Sequence, residues 1–350
     1  MKHYIIPLFI PHIGCPHRCI FCDQRQITGQ QAGITAKDIE NKIAEHIAGI
    51  TREYYVEAAF YGGTFTALPE ALQEELIFPA AQAYHAGKID AIRLSTRPDA
   101  IDINTLSRLK GHGVKTIELG AQSFSDDVLW KAGRGHKRKD IFKAAELIKG
   151  NGFELGIQLM PGLPGETRET LNQSLDALLQ IRPKIVRLYP TVVIKGTPLA
   201  KLYEQGQYTP LSIDEAAHIA AVMKLQLEAD GIKVIRTGLQ SSEGLDNEGT
   251  VLAGPYHPAF GELVENEIYW EMVKVLLQGI DFPKKVIVYH SPQETSKFRG
   301  IKNRNVIRLQ NLLKEAELRV YAAPIGADVL MVDIDGVISV IAKRSLKLRL

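Results

Sequence analysis

Three cysteines stand within eight residues, Cys15, Cys19 and Cys22, spaced C-x3-C-x2-C, and the chain has no others. Thiolates are soft ligands, so a group this tight points to metal. Three on one short loop can each hold one iron of a [4Fe–4S] cluster, which ordinarily takes four cysteines, and one iron is then left open for a small molecule. The competing chemistry is a closed Cys3His zinc site completed by His12 or His17. An odd number of cysteines this crowded does not build the disulfide framework of a secreted chain.

Further groups with chemical potential recur in short loops that follow β-branched runs. Tyr61-Gly62-Gly63-Thr64-Phe65 is one, Ser95-Thr96-Arg97-Pro98-Asp99 a second and Gly120-Ala121-Gln122-Ser123 a third. Pro161-Gly162-Leu163-Pro164-Gly165-Glu166, Lys195-Gly196-Thr197 and Arg236-Thr237-Gly238-Leu239-Gln240 continue the series.

The runs that position them read as strands at Tyr4–Ile10, Val56–Tyr61, Ala91–Leu94, Thr116–Leu119, Phe153–Met160, Ile185–Leu188 and Val234–Arg236. Helical patterns fall between them near Thr35–Ala48, Pro69–His85, Ile101–His112, Lys139–Asn151, Thr167–Leu179 and Ser212–Asp230, with Ser212 as an N-cap and Gly231 as a stop. Strands alternating with helices predict an α/β fold, a partial (βα)6 TIM-like barrel with an extra strand, whose loops all open on one face. A second unit begins near Phe282-Pro283, with strands at Lys285–Tyr289, Leu318–Tyr321, Asp328–Val332 and Gly336–Ala342 and a helix at Asn303–Ala316. The expected division is therefore a barrel with its extension over residues 1–281 and a small basic α+β domain over 282–350.

The cysteine motif, with Phe21 before its last member, resembles the signature of the radical S-adenosylmethionine (SAM) superfamily, and the strands from Tyr4 to Pro198 match that family's core. The resemblance implies a [4Fe–4S] cluster on the three cysteines, SAM chelating the open iron, and reductive cleavage of SAM to a 5′-deoxyadenosyl radical. It places Phe21 near the adenine. Gly62-Gly63-Thr64 matches the glycine motif whose backbone carbonyls receive the SAM amino group, and residues without a β-carbon allow such an approach. Thr64 stands where that motif usually ends in an acid.

Glu118-Leu119-Gly120-Ala121-Gln122-Ser123 and Gly133-Arg134-Gly135-His136 are similar to segments of the oxygen-independent coproporphyrinogen oxidase and elongator catalytic-subunit branches. There Gln122 and Arg134 correspond to SAM contacts, the guanidinium suiting a carboxylate. Arg134 could instead merely cap the preceding helix. Gln158 stands where the porphyrin branch carries an acid for the ribose. Met160 to Glu166 resembles the adenine-supporting loop and also reads as a tight strand-to-helix turn. Tyr189 to Thr197 and Leu202 to Tyr208 look most like the elongator catalytic subunit, which modifies wobble uridine in tRNA, although the 70 residues after Ile280 are too few for that family's acetyltransferase domain.

Candidate substrate residues are Lys195, Tyr256 and His257, with Arg236, Gln240 and Glu262 beside them. The Gly254–Glu262 run combines rigid turns with titratable groups, and His257 could instead only shape its turn.

Composition bounds the rest. The 350 residues carry 42 Lys plus Arg, 40 Asp plus Glu and 45% hydrophobic residues, which excludes a disordered or fibrous chain. No run of about 18 apolar residues exists, and the apolar start lacks a basic leader and a cleavage site, so a cytoplasmic protein with no membrane partner is expected. From Asp281 onward 13 basic face 7 acidic residues, against 29 and 33 before it. A basic tail on an acidic body suits a polyanion such as RNA, or is a solvated surface. The leading expectation is a radical SAM enzyme acting on a tRNA base, served by an electron donor such as flavodoxin or ferredoxin. A radical SAM enzyme on a small-molecule or tetrapyrrole-related substrate and a zinc-dependent RNA-binding protein are the alternatives.

Overall fold

Along the central strands one set of alternate side chains is aliphatic and the other is charged or small, and the fold follows from that alternation. The computed structural model describes residues 2–28, 33–50 and 53–350. Its first strands are β1 (Lys2–Phe9), β2 (Tyr54–Tyr61), β3 (Ala91–Thr96), β4 (Val114–Gln122), β5 (Glu154–Leu159) and β6 (Ile185–Leu188). A short strand β7 (Val193–Ile194) leaves the sheet, and β8 (Lys233–Thr237) rejoins it. The sheet runs β1-β2-β3-β4-β5-β6-β8 with every pair parallel. It curls into a half-barrel, so that Arg187 on β6 reaches Tyr61 on β2 across its interior.

Parallel neighbours require crossovers, and six helices supply them: Ala36–Ala48, Glu70–His85, Ile103–Gly111, Arg138–Gly150, Arg168–Ile181 and Ile213–Ala229. Thr35 and Ser212 open two of them with reciprocal capping boxes to Asp38 and Glu215, as expected for Ser212. Gly231, at φ +77°, follows the cap of the last. Val56, Ala58, Phe60, Ile92, Leu94, Ile117 and Leu119 point outward into the helix layer and form the main core with it. Glu57, Arg93, Glu118 and Arg187 occupy the alternate, inward positions.

Beyond the barrel, β9 (Val251–Ala253) pairs antiparallel with β7, and the helix Phe260–Leu276 packs on Ile213–Ala229. Then β10 (Lys285–His290), β11 (Glu317–Ala322), β12 (Val329–Ile334) and β13 (Val337–Ala342) form a mixed sheet ordered β11-β10-β12-β13. The expected helix at Asn303–Ala316 is shorter, Arg304–Leu312: Lys302 and Asn303 take left-handed φ values of 54° and 60° just before it, and Leu313 leaves helical geometry at φ −103° and ψ 37°.

Leu263, Ile268 and Met272 share one core with Val286, Val288 and Leu330, so the second sheet is packed onto the barrel through the Phe260–Leu276 helix. Asn266 ties the same junction, donating to the carbonyls of Ser296 and Lys297. Among the described residues no helix is long and apolar enough to cross a membrane.

Candidate functional site

The loop after β1 carries the cysteines and is locked onto the turn after β2. His12 N donates to the Gly62 carbonyl at 2.9 Å, and Thr64 N donates to that of Ile13 at 3.0 Å. A β-carbon on Gly63 would lie 2.5 Å from the carbonyl oxygens of Ile10 and Ile13, and one on Gly14 2.3 Å from that of Thr64. Glycine at position 63 is thus demanded by the chain's own backbone. Thr64 is buried with its hydroxyl 3.3 Å from Cys15 Sγ. The position that departs from the family's acid therefore lies against the first thiol.

Cys19 meets Arg134. A short helix that sequence reasoning missed, Asp126–Lys131, ends with Gly133 N donating to Trp130 O and Arg134 N to Leu129 O, both at 3.0 Å. Gly133 takes φ +66°, the usual left-handed stop. The Arg134 backbone therefore closes a helix while its side chain does something else. Nη1 donates to Cys19 Sγ at 3.0 Å, Nη2 donates to the Gly120 carbonyl, and Nε is buried without a partner. Arg97 holds this segment from behind, donating to the Arg134 carbonyl and twice to Asp99 at 2.9 Å. Beside them His136 is buried, and burial followed by Arg134 and Arg97 drives its pKa down to about 3, so it is neutral.

Gln122 adopts φ +73° at a bulge where β4 meets β5, an uncommon conformation for a residue with a side chain. It accepts from Gln158 Nε2 at 3.5 Å. The turn after β5 is held by Glu166, whose carboxylate accepts from Gly162 N and whose pKa burial pushes up to about 8. Tyr208 OH donates to the Gly162 carbonyl at 2.6 Å. Phe21, Met160 and Leu163 pack with Cys19 in one apolar cluster, against which Cys22 and Tyr189 rest. Of the expected cofactor residues, Thr64 and Arg134 touch a thiol, Phe21 packs with Cys19, Gly62 and Gly63 hold the cysteine loop, and Gln122 and Gln158 pair with each other at β4 and β5.

The donor set fits an iron–sulfur cluster better than zinc. Three sulfurs on one zinc, at about 2.3 Å from the metal, would lie roughly 4 Å apart. Among the described residues only His218, Glu267 and Glu271 bring three ligand atoms within 4.8 Å of one another, so the thiols are spread more widely than that. His12 Nε2 already accepts from Gln24 N at 2.8 Å, and His17 is exposed against Gly135. Burial, then the neighbouring Cys19, pushes the Cys22 thiol up to about 12, so a cationic partner is needed to hold it as a thiolate.

The candidate substrate residues lie at the rim. Lys195 is exposed, and its carbonyl accepts from Gln26 Nε2 at 3.0 Å in the short helix Gln24–Thr28 that follows the cysteines. Tyr256 OH donates to Asp246, and its ring joins the small cluster of Val192, Ile194 and Leu245. His257 Nδ1 accepts from Ala259 N at 3.1 Å, a local turn contact. Arg236 and Glu262 line a separate groove between β8 and the Phe260–Leu276 helix.

Sequence reasoning missed the charged interior. Arg93 donates to Glu57 and, at 2.7 Å, to Glu118, while Arg187 donates to Glu118 at 2.7 and 3.1 Å, to Tyr61 OH at 2.8 Å and to Tyr189 OH at 3.1 Å. Its signal was available as charges at inward positions of β2, β3, β4 and β6, whose partners are up to 126 residues apart.

Comparison with known proteins agrees with this geometry. The Radical SAM superfamily profile matches residues 9–178, and the Radical_SAM C-terminal domain profile matches residues 183–269. The chain is 29% identical over 189 residues to a tRNA uridine(34) acetyltransferase of Methanocaldococcus jannaschii, covering 48% of this chain and 35% of that one. It is 26% identical over 238 residues to the heme chaperone HemW of Bacillus subtilis, covering 67% and 63%. The solved structure of archaeal Methanocaldococcus infernus Elp3 superposes with a TM-score of 0.61 at 24% identity, over 79% of this chain and 64% of that one, which shows the fold. The chain spans about a third of the acetyltransferase and under two thirds of the other two. Cysteine loop, half-barrel and matched profiles together place this chain in the radical SAM superfamily of enzymes.

Proposed function

We propose that Cys15, Cys19 and Cys22 hold a [4Fe–4S] cluster, that SAM binds its open iron beside Gly62, Gly63, Thr64, Gln122, Gln158 and Arg134, and that the enzyme modifies a base in tRNA. When bound, the pair supplies one-electron reductive cleavage of SAM, fed by a donor such as flavodoxin or ferredoxin. The chain's own part is positional and electrostatic. Arg134, always charged, lies against Cys19 and keeps an unpartnered N–H for a carboxylate. That arrangement is the observation carrying the cofactor assignment. Phe21 and Met160 offer an apolar wall for a flat ring, and the Glu166-bound turn keeps the wall in place.

The tRNA substrate is supported by the likeness to tRNA uridine(34) acetyltransferases. We assign Lys195 at the rim to phosphate contact, with Tyr256 and His257 shaping the rim, and residues 282–350 to a separate appended domain. A tetrapyrrole-related substrate is favoured by one observation, the larger share of this chain, 67%, that aligns with the heme chaperone. Mass spectrometry of tRNA and metabolites from a strain lacking the protein separates the two. A missing modified nucleoside supports tRNA, and accumulation of a tetrapyrrole with an unchanged nucleoside profile supports the second.

A further inference from the structure

The interior of a (βα) barrel is ordinarily filled by layers of Val, Ile and Leu. Here Arg93, Glu57, Glu118 and Arg187 fill it instead, with His3 Nε2 at 3.1 Å from Glu57. Arg93, Glu57 and Glu118 are each buried. Burying four charges costs several kcal/mol per ion and is recovered only by complete pairing, which a set of aliphatic residues would not need. A polar interior at that cost calls for a use.

Two guanidinium and two carboxylate groups sum to no net charge, so this network offers the space above it no unpaired cation. The uppermost members are phenols. Arg187 donates from Nη2 to Tyr61 OH and from Nη1 to Tyr189 OH, so both hydroxyl oxygens already accept, and neighbouring nitrogens of one guanidinium hold the two side by side. No protein acceptor takes either phenolic proton among the described residues. Tyr61 immediately precedes Gly62-Gly63-Thr64, whose last hydroxyl touches Cys15, and Tyr189 packs against the apolar cluster of Cys19, Phe21 and Met160. Below them lie the paired side chains of Arg187, Glu118, Arg93 and Glu57.

We infer that Tyr61 and Tyr189 form the floor of the substrate chamber and present two O–H donors to a carbonyl oxygen of a neutral, amide-like ligand. With the tRNA reading, on which the choice of probe rests, that ligand is a uracil base. Neutrality follows from the balanced network, since an anion would gain no opposite charge there. Arg187 is a positioning residue, and Glu118 fixes its fork by accepting from both Nε and Nη2.

The test uses the full chain, reconstituted anaerobically with iron, sulfide and SAM, and titrated with free uridine and with an anticodon stem-loop RNA carrying uridine at the wobble position. Tyr61→Phe and Tyr189→Phe each keep the ring and remove one donor. Each is expected to weaken uridine binding by about two- to tenfold, with iron content and SAM affinity held. Unchanged uridine affinity in both variants, or no uridine binding by the parent, overturns the inference. Stem-loop binding by the parent with both variants unaffected overturns it while leaving the tRNA reading standing. Donor-dependent uridine binding without stem-loop binding supports it and removes the tRNA reading. If either variant fails to fold, 3-fluorotyrosine at these positions replaces it. A 19F shift on adding uridine supports the inference, and no shift at either ring overturns it.

Discussion

Arg134 Nη1 lies 3.0 Å from Cys19 Sγ, although 115 residues separate the two in sequence. The contact exists because the left-handed Gly133 ends the Asp126–Lys131 helix and turns the chain toward the cysteine loop, where Ile20 N donates to the Ala132 carbonyl at 3.2 Å. One guanidinium thereby donates to the Cys19 thiol and the Gly120 carbonyl and keeps a free N–H. Arg134→Ala should weaken SAM binding by roughly 1.5–3 kcal/mol, about ten- to a hundredfold, as measured by titration of the reconstituted protein. Arg134→Lys keeps the charge but loses the planar fork, and should fall between. Unchanged affinity in the Ala variant would remove Arg134 from the SAM site.

Gly63→Ala should cost the cluster itself. The added carbon would meet two carbonyl oxygens at 2.5 Å, both belonging to the segment that carries the cysteines, so that segment must shift. Iron per chain after anaerobic reconstitution is expected to drop well below that of the parent. Full iron content with only SAM affinity reduced would mean that the glycine serves the ligand instead.

That outcome also bears on what was legible in the sequence. Strands β1 to β6 and β8 were readable as short runs rich in apolar residues between helix caps such as Thr35 and Ser212. The cysteines and the loops after the strands were readable from residue type. The reason for Gly63 was not, because it depends on where Ile10 and Ile13 point their carbonyls. The Arg187–Tyr61–Tyr189 unit was not readable either: alternation along a parallel strand does not say which face is the interior, and the pairing of β2 with β6 side chains is set only when the sheet curls. The ends of the Arg304–Leu312 helix were likewise not readable, because left-handed Lys302 and Asn303 precede it and Leu313 leaves helical geometry although the apolar spacing continues through Ala316.

His218 gives a pH-dependent contribution to stability. The carboxylates of Glu267 and then Glu271, 3.7 and 3.1 Å from Nδ1, raise it from 6.5 to about 9. A raised histidine stabilises the folded state fully below the unfolded value and loses that contribution as pH rises through the folded one. The melting-temperature difference between the parent and His218→Gln should therefore be largest below pH 6.5 and vanish above about pH 9. A difference independent of pH would mean that the ring acts by packing alone.

The five basic residues from Lys297 to Arg308 divide into two groups. Arg304 pairs with Asp214 at 2.7 Å, Arg308 with Glu267 at 2.6 Å and Lys297 with Glu294 at 3.0 Å, so these brace the appended sheet. Among the described residues Arg299 reaches only Asn303, and Lys302 has no carboxylate partner. Reversing Arg299 and Lys302 to Glu should weaken tRNA retention, with little change in melting temperature. Its logarithmic salt dependence should flatten by about 0.7 for each single-strand phosphate that the variant no longer neutralises. Reversing Arg304 should instead lower the melting temperature. Equal RNA retention in the first pair at every salt concentration would take the RNA grip away from this segment.

The most direct measurement is metal content with electron paramagnetic resonance of anaerobically prepared protein, before and after SAM. About four irons and four sulfides per chain, with a reduced-state signal that changes on adding SAM, are predicted from a three-cysteine site with one open iron. Replacing any of Cys15, Cys19 or Cys22 by Ala should abolish that signal, since the chain holds no fourth cysteine. Stoichiometric zinc in a fully active preparation, with no SAM-responsive signal, would contradict the account.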